Sequence, residues 1–268
     1  MMSRIPATVA PMKTIVAIAL AAITTVAAAA EHYEISSRRA TERKAFTDAE
    51  IAEGFFKTAF GAELHLAGPV NRIRKFDGPV RVYVESHARP DRTGQVAEVV
   101  ADISARIQHL DIALVENAAA ANFIVTLVRD RDLPRAINKI YGRDQARLIQ
   151  RSLVPQCLSS FRKDDSFRIV HSEVILVADA GDFIFFDCVY EELLQALGPI
   201  NDTNAVPWTM FNDDVQMGFF DIYDQYLLNI LYDPRIRPGM EPQDVRAALP
   251  QVMPAVRAFV ARMNNLAP

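Results

Sequence analysis

The spacing of apolar residues switches along this chain between a period of two and a period near 3.6, and that alternation limits it to an α/β (α+β) layer architecture, a mixed sheet packed with helices. After Gly78-Pro79, Val80, Val82 and Val84 alternate with Arg81, Tyr83 and Glu85, the period of a half-buried strand. Phe123 to Val128 and Ile169 to Val177 are short β-branched runs of the kind buried in a sheet. Helical segments separate and flank them. Thr47-Asp48-Ala49-Glu50 has capping-box spacing and leads into Ile51, Phe55, Phe56 and Ala59 on one helical face. Between Thr93 and His109, Val96, Val99, Val100, Ile103 and Ile107 recur at helical spacing, and Leu133 to Leu153 reads as a helix with its charges outward. The last third is helical: Phe219, Tyr223, Tyr226, Leu227 and Ile230 share a face, and Val245 to Met263 repeats the pattern, with Pro250 and Pro254 expected to interrupt it. Residues 31–45 lack periodicity and are expected to be a loose lead-in to a single domain over residues 46–268. The aromatic run Phe183 to Phe186 reads as core.

The N-terminal 30 residues carry an address. Arg4 and Lys13 precede an apolar run from Ile15 that ends in Ala27-Ala28-Ala29-Ala30, the order of a cleavable secretory signal. The run falls short of the roughly 20 residues that span a bilayer, so no membrane span is expected after cleavage. Met12, just before Lys13, is a second candidate start. Export places the mature chain in the periplasm or outside the cell. Cleavage after Ala30 removes two basic and no acidic residues and moves the net charge from -4 to -6, which gives no general attraction for nucleic acid. The chain has two cysteines, Cys157 and Cys188. In an oxidising compartment that pair points to one disulfide, the other reading being two buried thiols.

The segment with chemical content is Cys188-Val-Tyr-Glu191-Glu192-Leu-Leu-Gln195-Ala-Leu-Gly198-Pro-Ile-Asn201-Asp202, followed by Trp208-Thr209-Met210-Phe211-Asn212-Asp213. It resembles the metzincin signature H-E-x-x-H-x-x-G-x-x-H with its later Met-turn. In that pattern two ligands four apart leave one helical face, the Gly turns the chain, and a third ligand arrives three residues later. Glu192 holds the general-base place, Gly198 the turn and Met210 the Met-turn, and Leu227 to Tyr232 resembles the closing C-terminal helix. The same arrangement resembles an uncharacterised family of secreted bacterial proteins. The likeness implies a zincin-like fold, a mixed sheet packed with helices and a helical C-terminal third.

The three histidine places hold Glu191, Gln195 and Asn201. Amides are poor replacements for the imidazoles that hold zinc, so the ordinary zinc site is absent and no metal or other cofactor is expected. With Glu192 or Asp202, these oxygen donors would suit only a hard ion such as calcium or magnesium. The expectation is therefore a non-catalytic zincin-like domain, a pseudo-peptidase whose vestigial cleft binds a peptide or cell-envelope partner. The alternative is an atypical hydrolase with Glu192 as general base. The bland reading also stands: a Glu pair at the start of a helix suits the helix dipole, Asn201-Asp202 is an ordinary turn pair, and Met210 packs in a core.

Other candidates are thinner. His32, His65, His87, His109 and His171 form no pair at metal-ligand spacing, and Asp164-Asp165 and Asp213-Asp214 read as loop charges. His171 and Glu173 share one face of a strand upstream of the signature, which raises the expectation that they line the same cleft.

Overall fold

The computed structural model describes residues 31–61, 71–152, 156–199 and 201–266. The signal-peptide expectation for residues 1–30 lies outside them. The elements run α1 (Tyr33–Thr41), α2 (Asp48–Ala59), β1 (Val80–Ser86), α3 (Thr93–Arg106), β2 (Ile112–Leu114), β3 (Phe123–Val128), α4 (Leu133–Ser152), β4 (Cys157–Lys163), β5 (Ile169–Val177), α5 (Asp182–Gln195), α6 (Ile222–Tyr232) and α7 (Pro242–Met263). One five-stranded sheet has the order β2-β1-β3-β5-β4. The first four strands are mutually parallel, and β4 lies antiparallel on β5.

Strand alternation divides the sheet's apolar residues between two cores. Val80, Val82, Phe123, Val125, Leu127, Val174 and Leu176 face the larger one, with Val96, Val99, Val100 and Ile103 of α3 and Phe185, Val189 and Leu193 of α5. Helices α2, α6 and α7 extend that core. Every residue of α6 is buried, as befits a central helix apolar all round. On the opposite face α4 covers only part of the sheet, packing Leu133, Ile137, Ala146 and Ile149 on Val128, Leu158, Ile175 and Val177.

At α2, Thr47 accepts from the Glu50 N–H while Glu50 accepts from the Thr47 N–H, the reciprocal pair expected of a capping box. Arg43 and Thr47 together hold the Glu50 carboxyl down at about 2, the Thr47 backbone bond being the largest cause.

Two expectations need correction, and two strands were not foreseen. Residues 31–45 are not a featureless lead-in: α1 forms because Ile35 enters a small core with Phe183 and Phe219, and Arg38 and Arg39 lie over those two rings. Pro250 and Pro254 do not interrupt α7. Proline inside a helix costs about 3 kcal/mol, but Val245, Leu249, Val252, Met253, Val256 and Val260 bury one continuous stripe, each worth about 1.5–3 kcal/mol. Strands β2 and β4 carry too few β-branched residues to stand out. They are made by their neighbours: β4 by seven residue pairings with β5.

Cys157 at the start of β4 and Cys188 in α5 are joined as a disulfide, with Cα atoms 5.8 Å apart and a sequence separation of 31. The bond ties the edge strand to the helix beneath it. By loop-closure entropy it contributes about 3–4 kcal/mol. A Cys157→Ser, Cys188→Ser variant is expected to lose about that much in urea unfolding, with a steeper slope of free energy against denaturant because the unlinked unfolded chain exposes more surface.

Candidate functional site

The signature residues occupy the end of α5 and the chain leaving it. Arg92 secures the helix's beginning, donating through Nη1 to Asp182 at 2.8 Å and through Nε to the Ala178 carbonyl at 2.6 Å. Side chains from two other elements take up carbonyls at its carboxyl end, and a third, β4, bonds the Gln195 side chain. Ser172 of β5 donates to the Ala196 carbonyl at 2.8 Å, and Tyr232 of α6 donates to the Leu197 carbonyl at 2.9 Å. Gln195 accepts from Ser159 of β4 at 3.3 Å and donates to Asp202 at 2.5 Å. These bonds matter because the last carbonyls of a helix have no partner within it.

Gly198 then turns the chain at φ 144°. A Cβ there would collide with the Arg74 carbonyl oxygen and crowd Leu231, so the close approach and the backbone angle both call for glycine. Gly198→Ala is expected to destabilise the protein by about 2 kcal/mol or more, read as a drop in unfolding midpoint.

Glu191 and Glu192 sit in the last turn of α5, not the first. The negative end of the helix dipole opposes their charge there, so the helix-start reading of this pair is withdrawn. Glu191 lies one turn before Gln195 on the same face. The Thr203 N–H donates to the Phe211 carbonyl at 2.8 Å, which lays the Asp202 segment against the Asp213 segment. The result is a cluster in which one carboxylate oxygen from each of Glu191, Asp202 and Asp213 lies within 4.8 Å of the others. Neither Glu191 nor Asp213 forms an ion pair with a described residue. Burial, and then the neighbouring Glu192, Asp202, Asp187 and Asp213 carboxylates, push the Glu191 carboxyl well above its usual range. Glu192 itself is only 7% exposed.

Asn201 does not join this group. Its amide donates to the Lys57 carbonyl at 2.7 Å and its oxygen faces Gly61, so it holds the end of α2. Asp213, read from the sequence as a loop charge, takes its place. The available signal was its position three residues after Met210. His171 and Glu173 are hydrogen-bonded at 2.6 Å, but alternation along β5 turns them away from Ser172 and hence from α5. The expectation that they line this cleft is corrected.

Met210 is buried in the main core, and its loop is fastened to α6. Asp224 accepts from Thr209 Oγ1 at 2.5 Å and from the Met210 N–H at 2.7 Å. Asp221 caps α6 through Oδ1, which accepts from the Tyr223 and Asp224 N–H groups. Both carboxyls are buried, and two neighbouring buried negative charges are disfavoured. Burial first, and Asp224 second, accordingly raise Asp221 well above its usual value.

Two nearby carboxyls titrate closer to neutrality. Burial pushes Glu42 up to about 7 against the hydrogen bond it accepts from the Ile222 N–H. Asp187, which accepts from the Met217 and Gly218 N–H groups, is raised by burial to about 6. Acids with raised folded-state values stabilise the fold fully below the ordinary carboxylate range and lose that contribution as pH rises through the folded value. Thermal stability is therefore expected to fall between about pH 4 and pH 7, and Glu42→Gln to flatten that slope in melting curves recorded across the range. Carboxyls held low, such as Glu50, act only below this window.

Residues 48–251, well over half the chain, match the family described as protein of unknown function, DUF2927. No curated protein and no solved structure matches the chain. The disulfide, and the lack among the described residues of any helix long and apolar enough to cross a membrane, are compatible with export.

Proposed function

This chain belongs to the DUF2927 family, and we propose that it works as an exported, non-catalytic zincin-like domain that binds an extended peptide bearing a basic side chain. The carrying observation is the convergence of Glu191, Asp202 and Asp213 beside the edge strand β4, to which Gln195 links them through Ser159. Glu192, Gly198 and Met210 follow one another on helix, turn and loop in the metzincin order. The places that would carry imidazole carry oxygen atoms, which suit an ammonium or guanidinium group.

Among the described residues no backbone group pairs with the outer edge of β4. An extended peptide can add there as a further strand, with main-chain bonds supplying affinity and alternate side chains supplying specificity. The basic side chain would enter the carboxylate cluster, lower the repulsion on Glu191 and release its proton. The disulfide keeps β4 in register over α5, so the two halves of the cleft stay together. Glu192 is too enclosed to serve an incoming water readily, which disfavours the hydrolase reading with that residue as general base.

The test is fluorescence anisotropy with a labelled decapeptide containing one central lysine and an otherwise identical peptide with glutamine there. The lysine peptide is expected to bind about tenfold more tightly, an advantage lost in Glu191→Gln and Asp213→Asn and reduced by salt. Neither peptide is expected to be cut. Equal binding of the two peptides, stoichiometric calcium or magnesium in the cluster, or cleavage that depends on Glu192 would each overturn the proposal.

A further inference from the structure

The second face of the sheet holds a cavity separate from the α5 cleft. Alternation sends Tyr83, Ile124, Glu173 and Ser160 to that face, and the register sets them in one row across β1, β3, β5 and β4. The next pairing, His171 with Arg162, continues the polar surface. Strands of a parallel sheet are ordinarily apolar on both faces because helices cover both. Here α4 covers only the far ends of the strands, and it breaks at Gly142 (φ 76°, ψ 166°). Beneath the break a cavity of about 790 Å³ remains, bounded by the polar row and by Lys139, Tyr141 and Gln145 of α4. That volume is within the roughly 300–1,000 Å³ usual for small-molecule sites.

The lining indicates what would fill it. Each of its two acids has a histidine: Glu173 is bonded to His171 at 2.6 Å, and Glu85 to His87 at 2.8 Å. Its two bases, Lys139 and Arg162, form no ion pair with a described residue, so two cationic groups line the cavity without an acidic partner. The hydroxyls of Tyr83, Thr126 and Ser160 and the amide of Gln145 offer neutral donors and acceptors, and the rings of Tyr83 and Tyr141 offer flat apolar faces. His171 fixes the Glu173 carboxylate in place while leaving it lone pairs to accept from hydroxyl groups.

We propose that this cavity binds a small polyhydroxylated anion, an acidic saccharide, with its acid group against Lys139 and Arg162 and its hydroxyls against Glu173, Ser160 and Tyr83. The acid can be a carboxylate or a phosphate, since both accept from guanidinium in the same bidentate way. The site shares no residue with the α5 cleft and stands independently of the peptide reading.

The experiment is an amide NMR titration of the whole protein with glucuronic acid, with glucose 6-phosphate and with glucose. Saturable shifts are expected along β4 and β5 near Ser160 and Glu173 with at least one acid sugar, at least about tenfold tighter than with glucose, and the comparison of the two acids tells carboxylate from phosphate. Arg162→Gln and Lys139→Gln, at exposed positions, are each expected to weaken that binding about fivefold or more and to leave the unfolding midpoint unchanged. Absence of saturation by about 50 mM with both acids, glucose binding as tightly as either acid, or unaltered binding in both variants would overturn the proposal.

Discussion

Everything at the carboxylate cluster depends on how the carboxyl end of α5 is held. A helix end buried in a protein leaves carbonyl groups that water cannot reach. Here Ser172 from β5 and Tyr232 from α6 donate to the Ala196 and Leu197 carbonyls, and Gln195 ties the helix end to Ser159 of β4. Because these partners belong to β5, α6 and the link to β4, the helix end cannot shift without disturbing the sheet and the C-terminal helices together. The disulfide adds a covalent restraint about two turns earlier. A site built on such an end is rigid, and rigidity is what lets carboxylates be kept close against their repulsion.

Acidic groups recur in this frame at three burial depths, and depth sets their behaviour. At the surface, Glu50 is held low by hydrogen bonds and a guanidinium. At intermediate depth, Glu42 and Asp187 rise toward neutrality although each accepts backbone N–H bonds. In the interior, burial and the neighbouring Asp224 raise Asp221 well above its ordinary value, and Asp224 anchors the Met210 loop. Glu191 differs from all of these. Its elevation comes from burial together with four acids around it, and no structural bond among the described residues takes up its charge. That contrast between acids that hold the fold and one that holds nothing underlies the functional reading of the cleft.

The two faces of the sheet divide the molecule's chemistry. The face under α3 and α5 is apolar and closed, and its polar groups are spent on closing helix ends. The face under α4 is apolar only where that helix reaches and polar beyond it. Gly142 decides the boundary. A helix of twenty residues without that break would run straight, whereas the positive φ at Gly142 bends it over the polar row.

Much of this fold was legible in the amino-acid order, because periodicity and capping are local. The α2 capping box, the alternation in β1, the runs at β3 and β5 and the stripes of α3, α6 and α7 each announce themselves within a dozen residues, as does the single pairing open to Cys157 and Cys188. Local signals also singled out the segment from Glu191 to Asp202 and the turn at Gly198. What they could not supply was partnership across the chain. Strand β4 exists because β5 offers it an edge, and α1 because two phenylalanines and the arginines above them meet only in the folded protein. Asn201 and Asp213 exchanged roles for the same reason. Spacing along a chain fixes which helical face a side chain leaves from, but the loops that bring Asp213 to Glu191 and turn Asn201 toward Lys57 are placed by contacts more than a hundred residues apart in one case, and by a backbone bond between two loops in the other.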